Sequence, residues 1–232
     1  SASTGSVTVS GGSINIDSVA QVGFNGEASL IMTGGSFSCG SLLAAIDSGS
    51  SANINISSSA VLNVKGFLGL GSGALLTISG GQTDVTIGSL STAPDSVIIF
   101  EFDGGSAVGN GIEVAGDVSL NGIVNLNFIG GNFVDGTYTV IKADNIVDNT
   151  AGHLLAFSLA SYEIVSVGDT EELQITITAP TTCQEMVDAG LQLAGDANGD
   201  CKVNVADIAE LATEWLLCNN PEKTGCDWTL GL

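Results

Sequence analysis

A strand, a corner of small residues and a second strand recur four times between residues 5 and 90. Val7-Thr8-Val9 leads through Ser10-Gly11-Gly12 to Ile14-Asn15-Ile16, and Leu30-Ile31-Met32 leads through Thr33-Gly34-Gly35 to Phe37-Ser38-Cys39. Ile54-Asn55-Ile56, Ser57-Ser58-Ser59 and Val61-Leu62-Asn63-Val64 form the third copy. Leu76-Thr77-Ile78, Ser79-Gly80-Gly81 and Val85-Thr86-Ile87 form the fourth. The corners start at residues 10, 33, 57 and 79, which are 23, 24 and 22 residues apart. A third apolar segment, such as Leu42-Leu43-Ala44-Ala45-Ile46 or Phe67-Leu68-Gly69-Leu70, separates the copies.

Three short strands in each period are what one coil of a parallel β-helix requires. Within a strand, apolar residues point inward and Ser, Thr or Asn point out, with period two. Sharp corners favour glycine because a Cβ resists the backbone angles needed there. Residues 1–96 are therefore expected to form a β-solenoid of about four coils. An antiparallel sandwich, whose strands also recur regularly, is the competing arrangement.

From Val97 the strands lengthen and the period is lost. Val97–Phe102, Val118–Leu120, Val124–Phe128, Thr137–Lys142, Leu154–Val165 and Leu173–Ile177 read as a sheet over 97–179 that continues or caps the coils. Gly5 to Ile177 resembles the secreted β-helical adhesin and passenger-type proteins of bacteria, through its Gly-Gly-Ser-Ile-Asn-Ile style repeats. The segment Gly136-Thr137-Tyr138-Thr139-Val140-Ile141 has the form seen near the end of such proteins.

Pro180-Thr181-Thr182 marks a boundary, beyond which the apolar period turns helical at Met186, Ala189, Leu191 and Leu193, then Ile208, Leu211, Trp215 and Leu216. Residues 180–232 are expected to be a small α-helical module holding both tryptophans, Trp215 and Trp228. Its loop from Asp196 to Asp207 places side-chain oxygens at positions 1, 3, 5, 9 and 12 of twelve. A hard cation such as Ca²⁺ takes six to eight oxygen ligands, and a twelve-residue loop wraps one ion at that spacing. Asp196, Asn198 and Asp200 would bind through side chains, Lys202 through its carbonyl, Asn204 directly or through water, and Asp207 from the next helix. Val203, at position 8, is expected to turn into the module's core. Helices are expected from Cys183 to Leu193 and from Asp207 to Leu217.

The loop, with Gly195-Asp196 at its start, resembles type I dockerin repeats and implies an EF-hand-like calcium module. Three positions depart from that pattern. Cys201 stands where glycine is usual at position 6, Val205-Ala206 replaces a Ser-Thr pair, and no second loop follows Cys218. Cohesin recognition of the usual kind is not implied.

Cys183, Cys201, Cys218 and Cys226 cluster in the last 50 residues, which suggests disulfides made in an oxidising compartment. A Cys201–Cys218 bond would have to span a helix of about 11 residues, roughly 16 Å long, beyond disulfide reach. Cys183–Cys201 with Cys218–Cys226 is the favoured pairing. Cys39 stands alone and reads as a buried free thiol.

Charge narrows function further. The chain has 25 acidic residues, four lysines (Lys65, Lys142, Lys202, Lys223) and a net charge of −21. Such a surface repels phosphate backbones and anionic membranes, so nucleic acid and membrane insertion are not expected partners. The chain opens at Ser1-Ala2-Ser3-Thr4 without a basic start and apolar run, so a secreted form would have lost its signal peptide already.

With one histidine (His153), no arginine and 5% aromatics, catalysis is not expected. Glu171-Glu172 and Glu101 with Asp103 read as solvated carboxylates rather than a glycosidase pair. The expected function is a secreted, extracellular or cell-surface structural protein that assembles with itself into a filament or matrix. The first coil begins at Ser6-Val7-Thr8-Val9, with no capping helix before it to blunt its strand edge. The alternatives are calcium-dependent docking or adhesion to a scaffold or surface partner, and, less expected, a carbohydrate-active β-helix enzyme.

Overall fold

In the computed structural model, residues 3–80, 83–103, 111–129, 135–155, 160–188 and 195–214 are described. The chain divides into two compact units, residues 1–179 and 180–232.

The first unit is a β-solenoid. One face stacks β1 (Ser3–Val9), β3 (Gly26–Met32), β5 (Ser51–Ile56), β7 (Ala74–Ser79), β9 (Val97–Asp103) and β12 (Ile123–Ile129), all in parallel. The chain returns through β2 (Ser13–Val22), β4 (Ser36–Ala44), β6 (Val61–Leu70) and β8 (Asp84–Thr92), again parallel. These return strands are long because each covers two faces. Their register slips between Ile16 and Val19, between Cys39 and Leu42, and between Val64 and Phe67. Above β8 the two halves separate outright into β10 (Ile112–Val114) and β11 (Asp117–Leu120), followed by β13 (Gly136–Ala143) and β14 (Asn145–Asp148). The coil thus has three faces, as the three-segment period requires.

Register places like residues above like. Leu30, Ile54, Leu76, Ile98 and Val124 form one inward column on the first face, and all are buried. Phe37, Leu62, Val85, Ile112 and Ile141 form a second. Leu42, Leu68, Leu90, Val118 and Ile146 form the third. Each such side chain contributes about 1.5–3 kcal/mol through burial. Cys39 is a free, buried cysteine paired in register with Ile16 and Val64. Burial pushes its thiol pKa up, against a smaller opposing pull from the Lys65 charge.

The stack does not stop at residue 97. Leu76 pairs with Ile98, and Ile98 with Val124, so β9 and β12 are further rungs of the same ladder. On the second face parallel stacking ends at β13, which pairs antiparallel with β16 (Thr170–Ile177), itself paired with β15 (Ala160–Val167), while the first face adds one more parallel bridge, Val124 with Leu155. The sheet over 97–179 therefore both continues the coils and closes them.

The bend between the second and third faces is lined by Gly40, Gly66, Gly88 and Gly116. A Cβ on Gly66 would lie 2.8 Å from the Gly40 carbonyl oxygen, and one on Gly116 would lie 3.1 Å from that of Gly88. Only glycine lets successive coils approach this closely.

In the second unit, α1 spans Cys183–Asp188 and α2 spans Val205–Glu214. The expected helix ends at Leu193 and Leu217 lie outside the described residues, as do Trp215, Cys218, Cys226 and Trp228. No helix among the described residues is long and apolar enough to cross a membrane.

Candidate metal centre

The loop before α2 is organised by its own carboxylates. Asp196 Oδ1 accepts the amide of Asp200 at 3.0 Å, and its Oδ2 accepts the amide of Cys201 at 2.8 Å. Asn198 Oδ1 also accepts the Asp200 amide, at 3.0 Å, and Asp200 Oδ1 accepts that of Lys202 at 2.9 Å. Each bond folds the chain back around the carboxylates, which is how a short polar loop satisfies backbone donors without secondary structure.

Asn204 is the N-cap of α2, its Oδ1 accepting the amide of Ala206 at 2.9 Å. Asp207 Oδ2 returns the bond by accepting the Asn204 amide at 2.6 Å, which completes a capping box. Asp207 Oδ1 accepts the amides of Ala197 at 2.9 Å and Asn198 at 3.4 Å, tying the loop's start to the helix. The Asn204 amide bond is the main reason the Asp207 carboxyl lies below its ordinary pKa range; burial works the other way, and the Asn198 and Ala197 amides add to the lowering. At α1, the Glu185 amide donates to Thr182 Oγ1 at 3.2 Å while Glu185 Oε2 accepts the Thr182 amide at 3.3 Å. These caps were not among the expectations from sequence, although Thr-x-x-Glu, and more weakly Asn-x-x-Asp, before an apolar-periodic run is the pattern that marks a helix start.

Carboxylate oxygens of Asp196, Asp200 and Asp207 lie within 4.8 Å of one another. Asp196 and Asp207 are 3% and 2% exposed, and Asp200 is exposed. Three like charges this close repel unless something positive sits among them. The cluster can hold a metal ion, and its donors are oxygen only. The nearby sulfurs of Cys183 and Cys201 are joined in a disulfide and cannot serve as thiolate ligands. Such a donor set suits a hard cation rather than zinc or copper. Asn198, Lys202 and Asn204 are exposed residues of the same loop. Each amide oxygen, though already accepting one hydrogen bond, keeps a second lone pair.

Cys201, at loop position 6, has φ 62°, the left-handed conformation for which glycine is favoured. Its disulfide to Cys183 is one of the two bonds expected, and it fits an oxidising compartment. The second, Cys218–Cys226, lies outside the described residues. Val203 corrects an expectation: its side chain lies close to Gly195, yet it is 57% exposed rather than turned into a core.

Other polar residues of interest serve the fold. His153 is exposed in a turn, its amide donating to the Thr150 carbonyl at 3.2 Å. Glu171 Oε2 accepts the Ile146 amide, Glu172 Oε2 accepts the Thr139 hydroxyl and the Gln174 amide, and Glu101 accepts the Asn127 amide. Compared with protein-family models, with curated proteins and with solved structures, the chain has no match.

Proposed function

We propose that this chain is a structural subunit of an extracellular or cell-surface assembly. Copies of its solenoid join rung to rung, and its C-terminal unit is an EF-hand-like module of the dockerin type organised by one Ca²⁺. The observation that supports the assembly is the ladder edge and apolar column left uncovered at β1 among the described residues. Val7 pairs in register with Leu30 and belongs to the same inward column, yet it is 48% exposed where Leu30 is 1% exposed. Among the described residues, β1 has β3 on one side and no strand on the other. A rung from a second copy would complete both the backbone ladder and the apolar columns, and repetition of that head-to-tail contact gives a filament.

In the C-terminal unit, Asp196, Asp200 and Asp207 would ligate the ion by carboxylate. Asn198 and Asn204 would add amide oxygens, and Lys202 its backbone carbonyl. The ion supplies the positive charge that lets two buried carboxylates sit beside a third. No catalytic role is assigned to the chain.

Substitution of Val7 by lysine tests the assembly, because an exposed site tolerates the change while the charge opposes stacking. Light scattering and electron microscopy should show assemblies of the parent protein that the variant lacks. A monomeric parent at high concentration, or a variant that assembles equally well, overturns the reading.

A second reading is supported by one feature of α2. Val205, Ile208 and Leu211, three residues apart along the helix, are 77%, 65% and 54% exposed. This stripe suits docking onto a scaffold or surface partner, with calcium holding the helix in place. Chelator-sensitive capture of a protein other than the chain itself would favour docking over self-assembly.

A further inference from the structure

We infer that the Cys183–Cys201 disulfide is a redox control on the metal loop, an inference that rests on the calcium reading above. Cys201 has φ 62° at loop position 6, where the backbone must adopt the left-handed conformation. Glycine adopts it freely, whereas a residue with a Cβ does so at a cost. The Cys201 amide, directed by that conformation, donates to Asp196 Oδ2 at 2.8 Å. The preceding amide of Asp200 holds Asp196 Oδ1 at 3.0 Å. Both oxygens of the most buried loop-start carboxylate are therefore aimed by the two residues that lead into this turn.

What holds the turn is a covalent bond to Cys183, the first residue of α1. That helix start is in turn fixed by the Thr182–Glu185 capping box. The disulfide thus does for cysteine what the absence of a Cβ does for glycine. When it is cut, Cys201 relaxes toward right-handed or extended backbone, its amide swings away, and Asp196 loses its alignment.

Cys183 and Cys201 are both only partly buried, so the bond between them is expected to be open to a small dithiol. A dithiol reductant transfers two electrons and two protons: the S–S bond breaks, Cys183 and Cys201 become thiols, and the reductant closes to its own cyclic disulfide. The coupling must run both ways, because a disulfide that favours metal binding is itself favoured by bound metal. The loop then binds calcium tightly only in an oxidising compartment, and bound calcium slows reduction.

The test uses the full chain with Cys218→Ser and Cys226→Ser, so that Cys183–Cys201 is the disulfide being reduced. Calcium affinity is measured by calorimetry before and after dithiothreitol, and reduction is timed by thiol labelling and mass spectrometry with calcium or with EDTA. Reduction should weaken calcium binding roughly tenfold, in line with the cost of a left-handed non-glycine residue. Calcium should slow thiol release by a similar factor.

Two further variants separate conformation from a general loss of folding. Cys183→Ala with Cys201→Ala should bind as weakly as the reduced protein, and Cys183→Ala with Cys201→Gly should regain most of the affinity. Equal affinity in the oxidised and reduced protein overturns this inference and leaves the calcium reading standing, as does failure of glycine to rescue. Absence of calcium uptake by the oxidised protein overturns both.

Discussion

A Cβ on Gly88 would lie 2.4 Å from the carbonyl oxygen of Gly66 on the preceding coil. Real Cβ atoms do not approach backbone oxygen that closely, and neither coil can yield without disturbing the parallel ladder on both sides of the bend. Gly88→Ala should therefore destabilise the solenoid by about 1–3 kcal/mol. Gly11→Ala, where a Cβ would meet nothing within 4 Å, should change stability by less than about 0.5 kcal/mol. Urea unfolding followed by far-ultraviolet circular dichroism distinguishes the two. Equal midpoints would contradict the close approach of the coils.

Asp148 binds the end of the coil stack to the antiparallel closure. Its Oδ2 accepts the Tyr162 hydroxyl at 2.6 Å, and its Oδ1 accepts the Thr150 amide at 2.7 Å and hydroxyl at 2.6 Å. Burial acts to raise the Asp148 pKa, but the Thr150 and Tyr162 bonds outweigh it, so the carboxyl lies below its ordinary range. A depressed folded-state pKa gives stability that is present above the unfolded value, about 3.9, and is lost as pH falls through the folded one. The Tyr162 pKa is raised, first by its bond to Asp148, then by burial and by the Asp148 charge. Its contribution is present below the unfolded value, about 10, and is lost as pH rises through the folded one. Tyr162→Phe should cost about 1 kcal/mol at neutral pH and flatten the stability profile at both extremes. A pH series of thermal melts on the two proteins checks this, and parallel profiles would refute it.

Capping and metal binding can be separated at Asn204. Its side chain caps α2 through the Ala206 amide without any ion. Asn204→Ala should cost about 1 kcal/mol of local helix stability in EDTA, measured by hydrogen exchange at the amides of 206–210. Unchanged protection in EDTA would show that the cap is idle without metal.

How much of this the sequence carried depends on whether a feature is local. The corners were legible because Gly12, Gly35, Ser58 and Gly80, with φ of 71°, 70°, 60° and 88°, recur at nearly even spacing among alternating strands. The bend glycines were not, because Gly40, Gly66, Gly88 and Gly116 are 26, 22 and 28 residues apart and each answers to the coil beside it. Beyond Val97 the period disappeared from view because register partners stop being evenly spaced along the chain: Leu76 and Ile98 are 22 residues apart, Ile98 and Val124 are 26 apart, yet all three stay in register. In the metal loop, ligand spacing stood out, since oxygens at fixed offsets are a chain-local pattern. Asn204 and Asp207 show what that pattern hid: the same oxygens also cap a helix, and a ligand list does not show which backbone amide each one accepts. Val203 fits the loop pattern too, yet it is exposed, because burial depends on tertiary neighbours that a spacing within the loop does not specify.

The most direct measurement is a calorimetric titration of the oxidised 232-residue chain with Ca²⁺, accompanied by circular dichroism in calcium and in EDTA. Uptake of one ion per chain with measurable heat, a gain in helix signal, and loss of both in Asp196→Asn with Asp207→Asn are expected. No heat of binding, together with helicity indifferent to EDTA, would show that the three converging carboxylates do not bind calcium.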